Sequence, residues 1–234
     1  MATLPADPGH LGPSRTPPES LSDYAIRALR EDLIEGRLVP GQRIAMEVLA
    51  AEMGISHVPV REAVRYLEAE GHLQRNPRSQ VRVTPVSPEE GAEIYRLREI
   101  LEEEAHAVGV PNLTEEDIAE LDRHVSAMQS AVETGDLAAF ARANRAFHFV
   151  PFSRSGSTWM LRFMNIIWDA AARYQTSLFQ REGWESDLQS HHQRLRDAMA
   201  RRDPDEVNQI MGEHRRITID AVGTQAQAPE EESE

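Results

Sequence analysis

Along most of this chain, apolar residues recur at the three-and-four spacing of amphipathic helices. Ile26, Leu29, Leu33 and Ile34 mark a first helix over Leu21–Glu35, and Gly36 ends it. Leu38–Arg43 reads as a turn, Met46–Met53 as a short second helix, and Met53-Gly54-Ile55 as a tight turn. A third helix follows over Ser56–Glu70. Ser56 suits its N-cap, Pro59 falls in the first turn where a missing N–H costs little, and Gly71 closes it. Val60, Ala63, Val64 and Leu67 form its apolar stripe, with Arg61 and Arg65 one turn apart beside it. The period then shortens: Leu73–Thr84 predicts two short strands around a polar turn at Asn76–Gln80.

Beyond this point the pattern is helical again. Ser87-Pro88-Glu89-Glu90 has the form of a capping box with Pro at the first helical position. Thr114–Asp117 caps a helix carrying Ile118, Leu121, Val125, Met128 and Val132, and Asp136 starts one through Phe140, Asn144, Phe147 and His148. Ser157 to about Phe179, Glu185–Arg201 and Pro204–Val222 complete the set. The expected fold is mainly α: a winged helix-turn-helix of three helices and a β-hairpin wing over residues 21–86, then an all-α helical bundle over 87–222. Residues 1–20 read as a disordered Pro-rich arm and 223–234 as a disordered acidic tail.

Composition first argues against nucleic-acid binding, since the 234 residues carry a net charge of −14. The distribution of that charge points the other way. Ser20–Ser87 holds nine arginines against nine acids, whereas Pro88–Glu234 holds 15 against 28. The acid therefore lies away from the third helix, and an acidic body would turn its neutral end toward DNA. Every basic residue among the 25 is arginine. With no cysteine, disulfides and thiolate chemistry are excluded. No apolar run approaches the ~20 residues of a membrane span, and the N-terminus lacks a signal pattern, so a cytoplasmic protein without membrane partners is expected.

A helix held by one face, with arginines free near its N-terminal half, suits reading a major groove. Arg61 is the leading candidate, for a guanine or a phosphate; its alternative is a surface side chain that is solvated or paired with Glu62. Ser56 at the helix N-terminus suits a phosphate as well as a cap. His57 faces a base or solvent, and Arg65, Arg43 and Arg78 suit phosphates. In the helical half, Asn144 and His148 share one helix face, and His192 and His214 come from two later helices. Such groups from three packed helices are able to converge inside a bundle.

With these residues in view, the chain resembles the GntR family of bacterial transcription regulators, in the FadR-like subgroup with an FCD-type helical effector domain. The N-terminal resemblance rests on Pro40–Ile44, Leu49-Ala50, Gly54-Ile55-Ser56, Pro59–Ala63 and Leu67–Gly71; Ala50, Gly54 and Val60 suit the close helix crossing, the tight turn and the core plug. The effector-domain resemblance rests on Arg98–Glu102, Asn144–His148, His192–Leu195 with Ala198, and His214. Relatives usually carry arginine at the position of His57, glycine in the wing turn occupied by Arg78-Ser79-Gln80, and an acid at Met46; the first departure implies a different operator, and the second speaks against minor-groove contact by the wing.

The resemblance implies that Asn144, His148, His192 and His214 hold a divalent metal, zinc or nickel, with the amide of Asn144 in place of the usual carboxylate. The alternative is a metal-free polar cavity. It also implies that Arg98 points into that cavity to clamp a small carboxylate effector, the alternative being an internal Arg98–Glu102 pair. His106, His124 and His191 are expected at the surface, and Tyr95, Phe147, Trp168 and Tyr174 in the pocket wall or the core. The function implied is that of a ligand-responsive regulator, most often a repressor, binding double-stranded operator DNA as a homodimer, with residues 87–222 as its ligand-binding and dimerisation domain. The competing reading is a metal-dependent helical hydrolase using the His cluster, with Glu103 or Glu104 as base.

Overall fold

The computed structural model describes residues 19–76, 80–179 and 183–225. In the N-terminal unit, α1 (Leu21–Ile34), α2 (Met46–Met53) and α3 (His57–Ala69) precede an antiparallel hairpin, β1 (Leu73–Arg75) and β2 (Val81–Val83), in register Leu73↔Val83. The expected winged helix-turn-helix is what the chain forms. Ala25, Leu29, Ala50, Val60, Ala63, Val64, Leu67, Leu73, Val81 and Val83 close one core beneath α3 and the wing. Gly54 ends α2 at φ 65°, the left-handed conformation that a tight inter-helix turn needs and that only glycine enters without strain. Ser20 caps α1 through the Asp23 N–H. Ser56 occupies the N-cap position of α3, yet its hydroxyl makes no capping bond.

The second unit is all helical: α4 (Pro88–Gly109), a 3-10 turn at Val110–Asn112, α5 (Glu115–Thr134), α6 (Leu137–Ser153), α7 (Thr158–Leu178), α8 (Trp184–Ala200) and α9 (Pro204–Gln225). Ser87, Thr114, Asp136 and Ser157 cap α4 to α7 as their side chains imply, and Thr114 with Asp117 forms a full capping box. α4 is the centre, packed against α6, α7 and α9, while α5 pairs with α6 and α8 with α9. Where α4 crosses α6, Gly109 lies so close that a β-carbon would stand 2.0 Å from the Pro151 carbonyl oxygen. The last helix runs to Gln225, three residues beyond the expected boundary at 222. Among the described residues, no helix is long and apolar enough to cross a membrane.

Candidate DNA interface and effector site

The outer surface of α3 carries exposed Ser56, His57, Arg61 and Arg65, while Pro59, Val60, Ala63, Val64 and Leu67 are buried beneath. Arg43 is exposed beside the wing and forms an isolated β-bridge with Arg82. The charge partners separate two kinds of arginine. Arg27, Arg30, Arg37 and Arg75 are tied to Glu19, Glu70, Asp32 and Glu68. Arg61, Arg65 and Arg43 have no carboxylate partner among the described residues. The Glu62 carboxylate, the expected alternative partner of Arg61, instead accepts a hydrogen bond from Ser22 on α1. Arg61 and Arg65 thus lie unneutralised on the exposed face of α3 with its open N-terminus, and Arg43 lies unneutralised beside the wing, a combination suited to the phosphate backbone and base edges of a duplex. Arg78 lies outside the described residues.

Inside the bundle, α6, α8 and α9 bring the three histidines together as expected. The ligand atoms of His148, His192 and His214 all lie within 4.8 Å of one another, and all three residues are buried. His192 Nε2 is 2.8 Å from Asn144 Oδ1 and 3.3 Å from His148 Nε2. Burial depresses all three imidazoles; it holds His192 at about 3, and neighbouring histidines add to the effect, His214 and His192 on His148, and His192 and His191 on His214. All three are therefore neutral and present lone pairs, the form that ligates a metal. His148 Nδ1 and His214 Nδ1 find no partner among the described residues. Three buried neutral imidazoles and an amide oxygen at one point fit a first-row divalent ion, and the donor set brings no negative charge to it.

One helix face away, Arg98 is buried and donates Nε and Nη2 to Glu102 Oε1 at 3.0 and 2.8 Å. The internal pair weighed for Arg98 is thus formed. Its guanidinium also stacks 4.0 Å from the Trp168 ring centroid, and the Trp168 ring centre lies 5.0 Å from that of His148. Trp168 Nε1 and Arg215 Nη1 donate to the same Glu102 carboxylate. Burial would raise the Glu102 pKa, but Arg98 and Arg215 outweigh it and hold the group ionised. Arg215 Nη2 also reaches Glu99 Oε1 at 2.7 Å, so two guanidiniums and two carboxylates balance one another beside the histidines.

Several expectations need correction. His106 is fully buried, its Nδ1 2.7 Å from Asn208 Oδ1 on α9; as the first turn past Glu102 on the inner face of α4, it had no route to the surface. His124 and His191 are half-buried. The four aromatic residues fall within the alternatives given for them: Phe147 and Trp168 wall the site, and Tyr95 and Tyr174 pack on each other in the core. Glu103 and Glu104, the bases of the hydrolase reading, are both exposed on the outside of α4, and the buried carboxylate at this site is Glu102.

A further set of residues joins the two units and was not singled out from sequence. Asp169 on α7 lies 2.9 Å from Arg145 of α6 and 3.6 Å from Arg30 of α1, and Arg30 pairs with Glu70 at 2.5 Å. Arg142 of α6 reaches Glu35 at the end of α1 at 2.8 Å. The signal available in sequence was their adjacency to the site residues: Arg145 follows Asn144, and Asp169 follows Trp168.

Two family models match this architecture: "Bacterial regulatory proteins, gntR family" over residues 21–83 and "FCD domain" over residues 93–216. The chain belongs to the GntR family. The McbR transcriptional regulator of Escherichia coli K12 is 34% identical over 140 residues, spanning 60% of this chain and 63% of that protein, just under two thirds of its length. The solved structure of E. coli McbR/YncC superposes with TM-score 0.79 at 28% identity, covering 89% of this chain and 99% of that one. The regulator BphR of Paraburkholderia xenovorans LB400 is 28% identical over 87% of this chain and 85% of its own length. The transcriptional repressor GlaR of E. coli K12 is 25% identical over 83% and 91% respectively. As a GntR-family protein with an FCD domain, the chain is a DNA-binding transcription regulator and not an enzyme.

Proposed function

We propose that this GntR-family regulator binds a pseudo-palindromic operator as a homodimer, and that a small organic acid in the helical domain controls that binding. The unpaired Arg61 on the exposed face of α3 carries the DNA part of the reading, with His57, Ser56, Arg65, Arg43 and Arg78 as further contacts. One recognition helix reads only a few base pairs, whereas a two-fold dimer reads two half-sites roughly 34 Å apart.

Asn144, His148, His192 and His214 would hold a divalent ion, zinc or nickel, which would supply a Lewis-acidic anchor for a ligand carboxylate. The uncharged donor set supports an anionic ligand: three neutral imidazoles and an amide would leave the charge of a bound divalent ion uncompensated, and an organic acid would offset it. Arg98 would orient that acid from its stacked position on Trp168. The absent carboxylate and the unpartnered Nδ1 atoms of His148 and His214 support an ion held weakly and exchangeably. The route to DNA runs through α6 and α7, because Asp169, which also holds Arg145 of α6, reaches Arg30 of α1, while the chain neighbours Asn144 and Trp168 line the site. Repression is the expected mode, as the name of the relative GlaR states for that protein.

The test is electrophoretic retention of the DNA upstream of the chain's own gene, with and without a library of small organic acids and with zinc or nickel. Sequence-specific retention altered by an acid supports the proposal. Equal retention of unrelated DNA overturns it.

A further inference from the structure

The polar outer surface of α3 holds one apolar side chain that its arginines leave unexplained. Val58 is 52% exposed, while Pro59, Val60, Ala63, Val64 and Leu67 are buried beneath the helix. A single exposed valine is ordinary on a protein surface. Its position on this helix is not. Each residue turns about 100° round the axis, so the five buried residues define an inner face whose centre lies about half a turn from Val58. Arg65, seven residues further on, falls within roughly 20° of the same line, and Arg61 and His57 lie to one side of it. On the other side stands Glu62, whose carboxylate accepts a hydrogen bond from Ser22 of α1. Val58 therefore projects directly away from the core, from the first turn of α3.

That turn is the part of a recognition helix whose residues reach base edges. Helical side chains also lean toward the N-terminus, which carries Val58 further toward that end. The major groove presents donors and acceptors at every base pair and one apolar group, the C5-methyl of thymine. Set against guanine, adenine or cytosine, an isopropyl group would strip water from polar atoms and offer no hydrogen bond in return. Set against the thymine methyl, it removes apolar surface from water on both sides. The helix itself does not call for valine here, because β-branched residues are weak helix formers.

We infer that Val58 is a specificity-determining residue that packs on the C5-methyl of a thymine at one fixed position of each operator half-site. The assignment rests on the reading of α3 as the DNA-reading helix and deepens it. Arg61, Arg65 and Arg43 supply attraction to guanine or phosphate, and Val58 supplies the demand for thymine.

Deoxyuridine tests the contact, because its base keeps every hydrogen-bonding group of thymine and lacks the methyl. The full-length protein is titrated in gel shifts against its footprinted upstream operator, with deoxyuridine placed at successive thymines of both half-sites. At one position the wild type is expected to bind about fourfold less tightly for each half-site, and over about tenfold less tightly for the pair. Val58→Ala is expected to bind the thymine operator about as weakly as the wild type binds the deoxyuridine one. It should lose its response to deoxyuridine there, with an unchanged melting temperature. Val58→Thr, which keeps one methyl, should retain part of that response. A wild type indifferent to deoxyuridine at every thymine overturns the contact, and so does a Val58→Ala protein as sensitive as the wild type. Arg61→Ala separates the two readings. If it keeps full operator retention, α3 is not the reading helix and both fall. If it loses retention while the wild type ignores deoxyuridine, the Val58 contact falls and the reading of α3 stands.

Discussion

Asn144 and Arg145 are neighbours in the chain and serve opposite sides of α6. The Asn144 amide oxygen is 2.8 Å from His192 Nε2 inside the bundle, while Arg145 Nη1 is 2.9 Å from Asp169 Oδ1 at the junction with the DNA-binding head. On α7 the same relation recurs: Trp168 packs on His148, and Asp169 faces Arg145 and Arg30. A shift of either helix that accommodates a ligand must therefore move a charge that the head touches.

That relation makes Asp169 a test of coupling. Replacing it by Asn removes the anion between Arg145 and Arg30 and leaves two guanidiniums facing each other in a largely buried place. A stability loss of about 1–3 kcal/mol in urea unfolding is expected. Any ligand or metal effect on operator affinity should shrink more than operator affinity itself. An unaltered ligand effect would remove Asp169 from the route.

Arg61→Ala should leave the melting temperature within a degree or two, since the side chain is exposed and unpaired. Loss of a specific base contact costs about 1–3 kcal/mol for each half-site, so operator retention should fall well over tenfold. Full retention in a gel-shift titration would reassign this arginine to solvent.

For the histidine site, the informative change is Asn144→Asp. A formal negative charge beside a divalent ion contributes several kcal/mol even at an effective dielectric of about 20. Zinc affinity by competitive titration should therefore rise by more than about tenfold, and the thermal shift on adding zinc should grow. His148→Ala should abolish that shift. Equal zinc response in all three proteins would refute the site.

His72, at the base of the wing, gives the head a pH dependence. Burial, aided by Arg30 and Arg173 and opposed by Glu70, pushes its imidazole down to about 4, against about 6.5 in an unfolded chain. Between these values the unfolded chain holds a proton that the folded chain refuses. The stability due to His72 is thus complete above about pH 6.5 and is lost toward pH 4, at about 1.4 kcal/mol per pH unit and ~3 kcal/mol in all. Unfolding curves of wild type and His72→Gln should diverge in slope across that window, and parallel pH profiles would contradict the assignment.

Two glycines of α4 separate a backbone clash from a side-chain one. Gly109→Ala would set Cβ 2.0 Å from a backbone oxygen of α6 and should cost about 3 kcal/mol or more. Gly91→Ala meets the Tyr174 ring at 2.9 Å, which is able to tilt, and should cost far less. Thermal melts showing equal losses would indicate that α6 yields as readily as the ring.

Much of this protein was legible in its sequence because the deciding forces are local. Helix spans follow from apolar spacing, their starts from Ser20, Ser87, Thr114, Asp136 and Ser157, and their turns from Gly54 and Gly71. Convergence of His148, His192 and His214 was legible too, since each falls at an inward position of its own helix. Tertiary packing decided what depends on partners distant in the chain. It buried His106 against Asn208 and gave Glu62 to Ser22, freeing Arg61. It closed Arg98 onto Glu102 with Arg215 joining from 113 residues away, and it set Asp169 between α1 and α6. Helix formation needs only neighbours three or four residues away, whereas the fate of a charge depends on which helix packs beside it. Periodicity names the inner face of a helix; only the fold says what waits there.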